Sequence, residues 1–304
     1  MYFATNPPLA TLPAQIAQEF EELRAAQPAG SMHLLALVDC AFDEGFLDKR
    51  YRRTLPPQSL YANTALQEFG TAAPHLLTSP EGDAEPLAWL NHLFADCGNK
   101  PMLSVIASPL SAEALVRHMR PYLIAMTADT VEWPVRWGDT RVLPSLLETL
   151  PQIQRSHFLA PVARWWSPAR GGDLLHWEGA GTLPAPAGFD KLPLSDEIFA
   201  NLVDVAEADS VLSKLHDSQP DLLSTDSPAE CHARVARNLE VASANGIQAA
   251  PAREHFSALA LLLADDFTQH AAMAELLRRT RRGADYINEV AALTDDFWRA
   301  TERQ

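Results

Sequence analysis

Leu34-Leu35-Ala36-Leu37-Val38-Asp39 is the stretch on which the fold turns. Five apolar residues in a row stop at a carboxylate, a few residues after the helix-breaking Pro28 to Gly30. An apolar run this short, bounded by turn residues, reads as a strand buried on both faces. Upstream of it, Ile16, Phe20 and Leu23 recur at helical spacing and predict an amphipathic helix. Downstream, Leu87, Leu90 and Phe94 mark a second helix, and Met102 to Ala107 a second buried strand. Ser111 then caps a helix with Leu115 and Met119 on one face, which stops before Pro121. Strand and helix alternate in the βαβ manner.

From Tyr122 the pattern becomes strand after strand. Tyr122 to Thr127 and Val131 to Trp137 are joined by the short turn at Ala128-Asp129, which predicts an antiparallel hairpin. A helix is expected over 141–150. Val162 to Trp166 and Leu174 to Trp177 flank Arg170-Gly171-Gly172 as a second hairpin. Crossovers and hairpins together predict a mixed sheet. The Gly/Pro/Ala-rich stretch from Glu178 to Pro193 reads as a linker, and beyond it only helical spacing remains. Ser195 caps a run carrying Ile198, Leu202, Val205 and Leu212; Ser227-Pro228-Ala229-Glu230 has the form of a capping box; Asn245-Gly246 is a helix stop. Further helices follow on Phe256 to Phe267, Met273 to Leu277 and Tyr286 to Phe297. The expected class is α/β (α+β): a lobe over 1–183 with a mixed β-sheet flanked by helices, and an all-helical lobe over 184–304. No internal repeat is visible.

The composition, 47 % hydrophobic and 21 % charged over 304 residues, is that of an ordinary soluble globule. No apolar run approaches the ~20 residues that span a bilayer, so no membrane insertion is expected. Met1 to Ala10 lack a basic segment followed by an apolar one, which predicts a cytoplasmic protein. Cys40, Cys97 and Cys231 read as reduced, mostly buried thiols. The net charge of -15 is spread as -6 up to residue 183 (13 basic, 19 acidic) and -9 beyond it (11 basic, 20 acidic). Such a field repels phosphate backbones, so nucleic acid is excluded as a partner.

No catalytic, cofactor or metal constellation emerges. Gly179-Ala180-Gly181 lacks the lysine of a phosphate loop, no serine sits in a Gly-x-Ser-x-Gly elbow, and no His-Glu-x-x-His or Cys-x-x-Cys occurs. Cys231-His232 reads as a core thiol beside a solvent-facing imidazole. Asp265-Asp266 and Asp295-Asp296 read as solvated helix faces, since consecutive helical residues point about 100° apart. Arg278, Arg279, Arg281 and Arg282 lie at a helix C-terminus that favours cations, and they are the candidate contacts for an acidic partner surface.

The densest unusual segment runs from Val131 to Pro144, followed by Phe158, Pro161, Trp165 and Trp166. Strand alternation puts Trp133, Val135 and Trp137 on one side and Glu132, Pro134 and Arg136 on the other. Asp139 and Arg141 then fall at the strand-to-helix turn, where Asp139 can cap the helix and pair with either arginine. Such an arrangement reads as a salt-bridged junction.

At these residues the sequence resembles the type VI secretion adaptor, or effector-chaperone, family of Tap/TEC type. The resemblance rests on six elements in order: Leu35 to Asp39, a strand ending in an acidic residue; Ser59-Leu60-Tyr61; Ala73-Pro74-His75-Leu76; the helix from Ser111 to Arg120; the segment from Arg136 through Asp139 and Arg141 to Leu143; and Phe158, Pro161 and Trp165. It covers about residues 33 to 166. The chain departs from the family pattern where Trp137 and Gly138 replace an aromatic pair and Thr140 replaces a proline. The resemblance implies a cytoplasmic protein without catalysis or cofactor, which binds a secreted effector and helps load it onto the VgrG spike. The motif residues Asp39, Ser59, Tyr61, Pro74, Arg120, Arg136, Asp139, Arg141, Pro161 and Trp165 are then expected to be structural. Partner contact is expected in the helices after residue 194 and in the cleft between lobes. Two other readings stand beside it: a small-molecule enzyme binding an anion between the lobes through Arg136, Asp139, Arg141 and His118, and an immunity protein that neutralises a toxin.

Overall fold

The run at 34–38 forms strand β1 (His33–Asp39), buried at every residue after His33. The computed structural model describes residues 2–26, 32–48, 56–80, 86–183 and 185–303, and the break expected at Pro28 to Gly30 lies outside them. Helix α1 (Leu12–Ala26) precedes β1. After it come β2 (Gln58–Ser59), β3 (Pro74–Thr78), α2 (Pro86–Cys97), β4 (Leu103–Ser108), α3 (Ala112–Met119), β5 (Ile124–Met126) and β6 (Glu132–Pro134). Then follow α4 (Leu143–Thr149), α5 (Gln152–Leu159), β7 (Arg164–Pro168), β8 (Leu174–Trp177) and β9 (Leu192–Pro193). The class is α+β, as expected.

The main sheet has the order β2-β3-β1-β4-β7-β8, and each of its pairings is antiparallel. This corrects the expected mixed sheet. β3 and β4 do run the same way across the helical crossover α2, but β1 lies between them, with Leu35 opposite Thr78 on one side and Ile106 on the other. Burial on both faces makes an inserted antiparallel strand look like a parallel one in sequence. The parallel pairing is found in a small second sheet, β6-β5-β9, where β5 pairs β6 antiparallel and β9 parallel.

Leu35, Leu37, Ile106 and Trp165 face a core shared with Leu115, Met119, Leu143, Leu147 and Phe158 from α3, α4 and α5. On the opposite face, Leu34, Val105 and Trp166 meet Ile16 and Phe20 of α1, while Ala36 and Val38 meet Leu93 and Cys97 of α2. Both hairpins read from sequence are present. Gly172, at φ +94°, closes the second, and a Cβ there would lie 2.4 Å from the carbonyl oxygen of Pro7.

The stretch read as a linker is built into this part of the molecule. Gly179 fits against the carbonyl of Leu159, where a Cβ would approach to 1.8 Å. The amides of Gly181 and Thr182 donate to Val162 and Ala160, and Leu192 is buried in β9. Glycine is there for close approach as well as for flexibility.

The chain groups into two compact units, Thr5–Val203 and Met1–Ala4 with Asp204–Gln304. The second unit is helical: the later part of α6 (Asp196–Ser218), then α7 (Pro228–Ala244), α8 (Ala250–Leu262), α9 (Ala271–Arg281), α10 (Tyr286–Ala291) and α11 (Asp295–Thr301). α7 begins at the Ser227/Glu230 capping box and stops at Gly246, φ +76°. No helix among the described residues is long and apolar enough to cross a membrane.

Candidate functional site

Asp39 ends β1 on the same face as Leu35 and Leu37, with its side chain 1 % exposed. Its Oδ1 accepts the amide of Ala41 at 3.1 Å, and its Oδ2 accepts Nε and Nη2 of Arg136 at 3.1 and 2.9 Å. Arg136 also reaches the equally buried Asp139, with Nη1 at 3.5 Å from Oδ2. Asp139 is gripped by Arg141 through Nε at 3.0 Å and Nη2 at 2.8 Å, and accepts the Arg141 amide at 3.1 Å. Both guanidinium groups lie over the ring of Phe42, 4.7 Å away for Arg136 and 5.3 Å for Arg141. Beside them Lys100 pairs with Asp43 at 2.7 Å. Each arginine is therefore matched by a buried carboxylate, and the four-residue junction carries no net charge (two Arg, two Asp).

Burial raises the Asp39 carboxyl above its ordinary value, with the Arg136 guanidinium pulling the other way. The same burial, with Asp39 alongside, pushes the Cys40 thiol up to about 12, so it stays protonated and unreactive at neutral pH. The Tyr61 phenol also rises to about 12 through burial and the Asp39 charge. Tyr61 lies in the same core cluster as Leu37 and Trp137, on a turn in which Ser59 Oγ accepts its amide. Pro74 stands opposite Asp39 in β3 and its carbonyl accepts the Leu60 amide. Arg120, exposed at the end of α3, donates to the carbonyl of Ala62 at 3.4 Å.

The strand expected over 131–137 stops at Pro134, and its three residues, Trp133 among them, are all exposed; the inward and outward alternation holds only beyond its end, where Val135 and Trp137 are buried and Arg136 is 39 % exposed. Trp137 stacks on Phe158 with centroids 4.1 Å apart and donates to the Tyr122 carbonyl at 2.8 Å. Trp165 joins the same cluster, donates to Ser104 Oγ at 2.9 Å and stands opposite Trp177. The Pro161 carbonyl accepts from Ser108 Oγ at 2.6 Å. Trp166 faces the other side, against α1, where it donates to Glu19. Trp133 is 43 % exposed and rests on Phe199. His118 belongs to a separate arrangement: its Nε2 meets the Phe158 carbonyl at 2.9 Å, beside a Tyr122–His157 hydrogen bond of 2.6 Å.

The arginines at the end of α9 are engaged locally. Arg278 and Arg279 pair with Glu275, Arg279 also with Glu289, and Arg281 donates twice to the Ala244 carbonyl at the end of α7. Arg282 is exposed. Asp265 pairs with Arg234 and Asp296 with Arg299.

Sequence spacing already suggested Asp139 against the two arginines, because the three lie within one turn. Phe42, Lys100 and the link from Arg136 to Asp39 came only with the fold, since that last contact joins residues 97 positions apart. Chemically, the junction can fix the loop over 136–141 onto the end of β1. It presents no unmatched cation and no activated nucleophile. No curated protein and no solved structure was found to match the chain. Residues 34–157, which carry β1 from Leu34 onward, the Asp39–Arg136–Asp139–Arg141 junction and all but the last residues of α5, match a family model described as a domain of unknown function, DUF4123.

Proposed function

We propose that the chain is a cytoplasmic, non-catalytic adaptor that binds a type VI secretion effector and helps load it onto the VgrG spike. The observation that carries this reading is the overlap between the family match over 34–157 and the ordered motifs that resemble the effector-chaperone family: five of the six fall inside it. The geometry agrees in kind. Among the motif residues, Asp39, Arg136, Asp139 and Arg141 fix the 136–141 loop onto β1, while Ser59, Arg120 and Pro161 make hydrogen bonds within the same unit, which is what a shared scaffold needs. An enzyme using Arg136, Asp139, Arg141 and His118 on an anionic substrate would need positive charge to spare; here both guanidinium groups are neutralised and His118 bonds elsewhere.

The test is capture from the native cytoplasm with the full-length chain as bait. Recovery of one toxin-like protein together with a spike protein is expected. Recovery of neither, with bait folded and both candidates expressed, overturns the reading.

A further inference from the structure

In the helical unit, α6, α7 and α8 enclose an open groove of about 460 Å³, within the size range of binding sites. Its long wall is one face of α7: His232, Ala236, Leu239, Glu240 and Ser243 recur at i, i+4, i+7, i+8 and i+11, a run of about 16 Å at 1.5 Å per residue. α6 supplies Val205 and Ala208. The floor is apolar and low, with Ala208 and Leu239 buried, and Val205 stands 47 % exposed on the wall. Ala208 on the floor and Ala236 on the α7 wall are small enough to let a partner's backbone come close. The rim is acidic: Asp204, Glu207 and Glu240 against the single cation Arg253 leave a net charge of -2. Arg253 is itself held by Glu207, with Ser243 Oγ at 2.9 Å and the Ile247 carbonyl at 3.1 Å, so its charge is matched internally.

We propose that this groove receives an amphipathic helix of a partner protein, apolar along the buried side and basic along its flanks. Both walls are helices whose backbone groups are bonded internally, so the groove offers no strand edge to an extended peptide, and recognition falls to side chains. The acidic rim selects cationic flanks over acidic ones. Identifying this helix with part of the effector rests on the adaptor reading; the shape and charge of the groove do not.

The probes are three labelled synthetic peptides titrated against the full chain by fluorescence anisotropy: a Leu/Lys peptide with leucines at helical spacing, one of the same composition in alternating order, and a Leu/Glu counterpart of the first. The first should bind at least about tenfold more tightly than the others, a difference of about 1.4 kcal/mol. Ala236→Trp, which fills the groove, and Glu240→Lys, which reverses an exposed rim charge, should each weaken it about tenfold. Glu240→Lys keeps the test valid should Ala236→Trp fail to fold. Equal binding of the two Leu/Lys peptides, or unchanged affinity in folded variants, overturns the groove. Glu240→Lys that loses the peptide yet captures the effector as wild type overturns the effector's assignment to the groove and leaves the adaptor reading standing. Peptide binding without any effector or spike capture does the reverse.

Discussion

A methyl group on Gly138 would meet Asp39 Cβ at 2.8 Å, and its Cα and amide nitrogen at 3.3 Å. The obstacle is the backbone of a central strand, which cannot step aside as a flexible side chain would. Gly138→Ala should therefore push the 136–141 loop off β1 and stretch the Arg136–Asp39 pair, costing about 2 kcal/mol as overpacking does. A lower urea midpoint with unchanged m-value is the expected readout; an unchanged midpoint would show that the loop gives way freely. The junction itself is a poor source of stability, since taking two carboxylates out of water costs much of what the arginines return. Its effect is positional. Sequence made half of it visible: Asp139 and the two arginines lie within six residues. Asp39 stood out only as the end of an apolar run, and Phe42, on the 3-10 turn after it, follows no period that spacing could reveal.

Helices and hairpins were legible where local chemistry defines them, as at Ser227, Gly172 and Gly246. Strand direction was not, because β1 shows the same apolar run whichever way its neighbours point. At the start of α7 one carboxylate ties several elements together. Asp226 accepts from Arg303 through both oxygens, at 2.7 and 2.5 Å, and lies 3.2 Å from Arg234. Arg234 in turn donates to the Ala260 carbonyl in α8 at 3.1 Å. Hydrogen bonding from Arg303 foremost, then the Arg234 charge, holds the Asp226 carboxyl below its ordinary 3.8. A depressed carboxylate contributes stability that is full above the unfolded value and disappears as pH falls through the folded one. Asp226→Asn should thus cost about 1–2 kcal/mol at neutral pH, and the gap from wild type should close below pH 3.8. Amide exchange in α7 and around Arg303 reads this directly. A gap that persists unchanged into acid would mean that packing, rather than charge, holds these elements.

At the scale of the whole molecule, the chain passes between its two units at Ala4/Thr5 and at Val203/Asp204, so that residues 2–4 serve the helical unit although residues 5–203 intervene. No sequence signal marks so short a segment, which has neither a period nor a motif. Its place is tightly fixed all the same. Ala4 is 2 % exposed in the core with Val211, Leu212 and Leu215, and the Tyr2 ring stacks on His216 with centroids 5.4 Å apart. Ala4 also adopts φ +51°, a conformation costing an L-residue about 1–2 kcal/mol, which persists only where the surroundings hold it. Removing residues 1–4 should strip these contacts from α6 and α7 and destabilise the helical unit by about 2 kcal/mol, from the apolar surface returned to water. Hydrogen exchange should accelerate in the second half of α6 and in α7, with β1 and β4 protected as before. Equal acceleration in β1 and β4 would show instead that the units unfold as one.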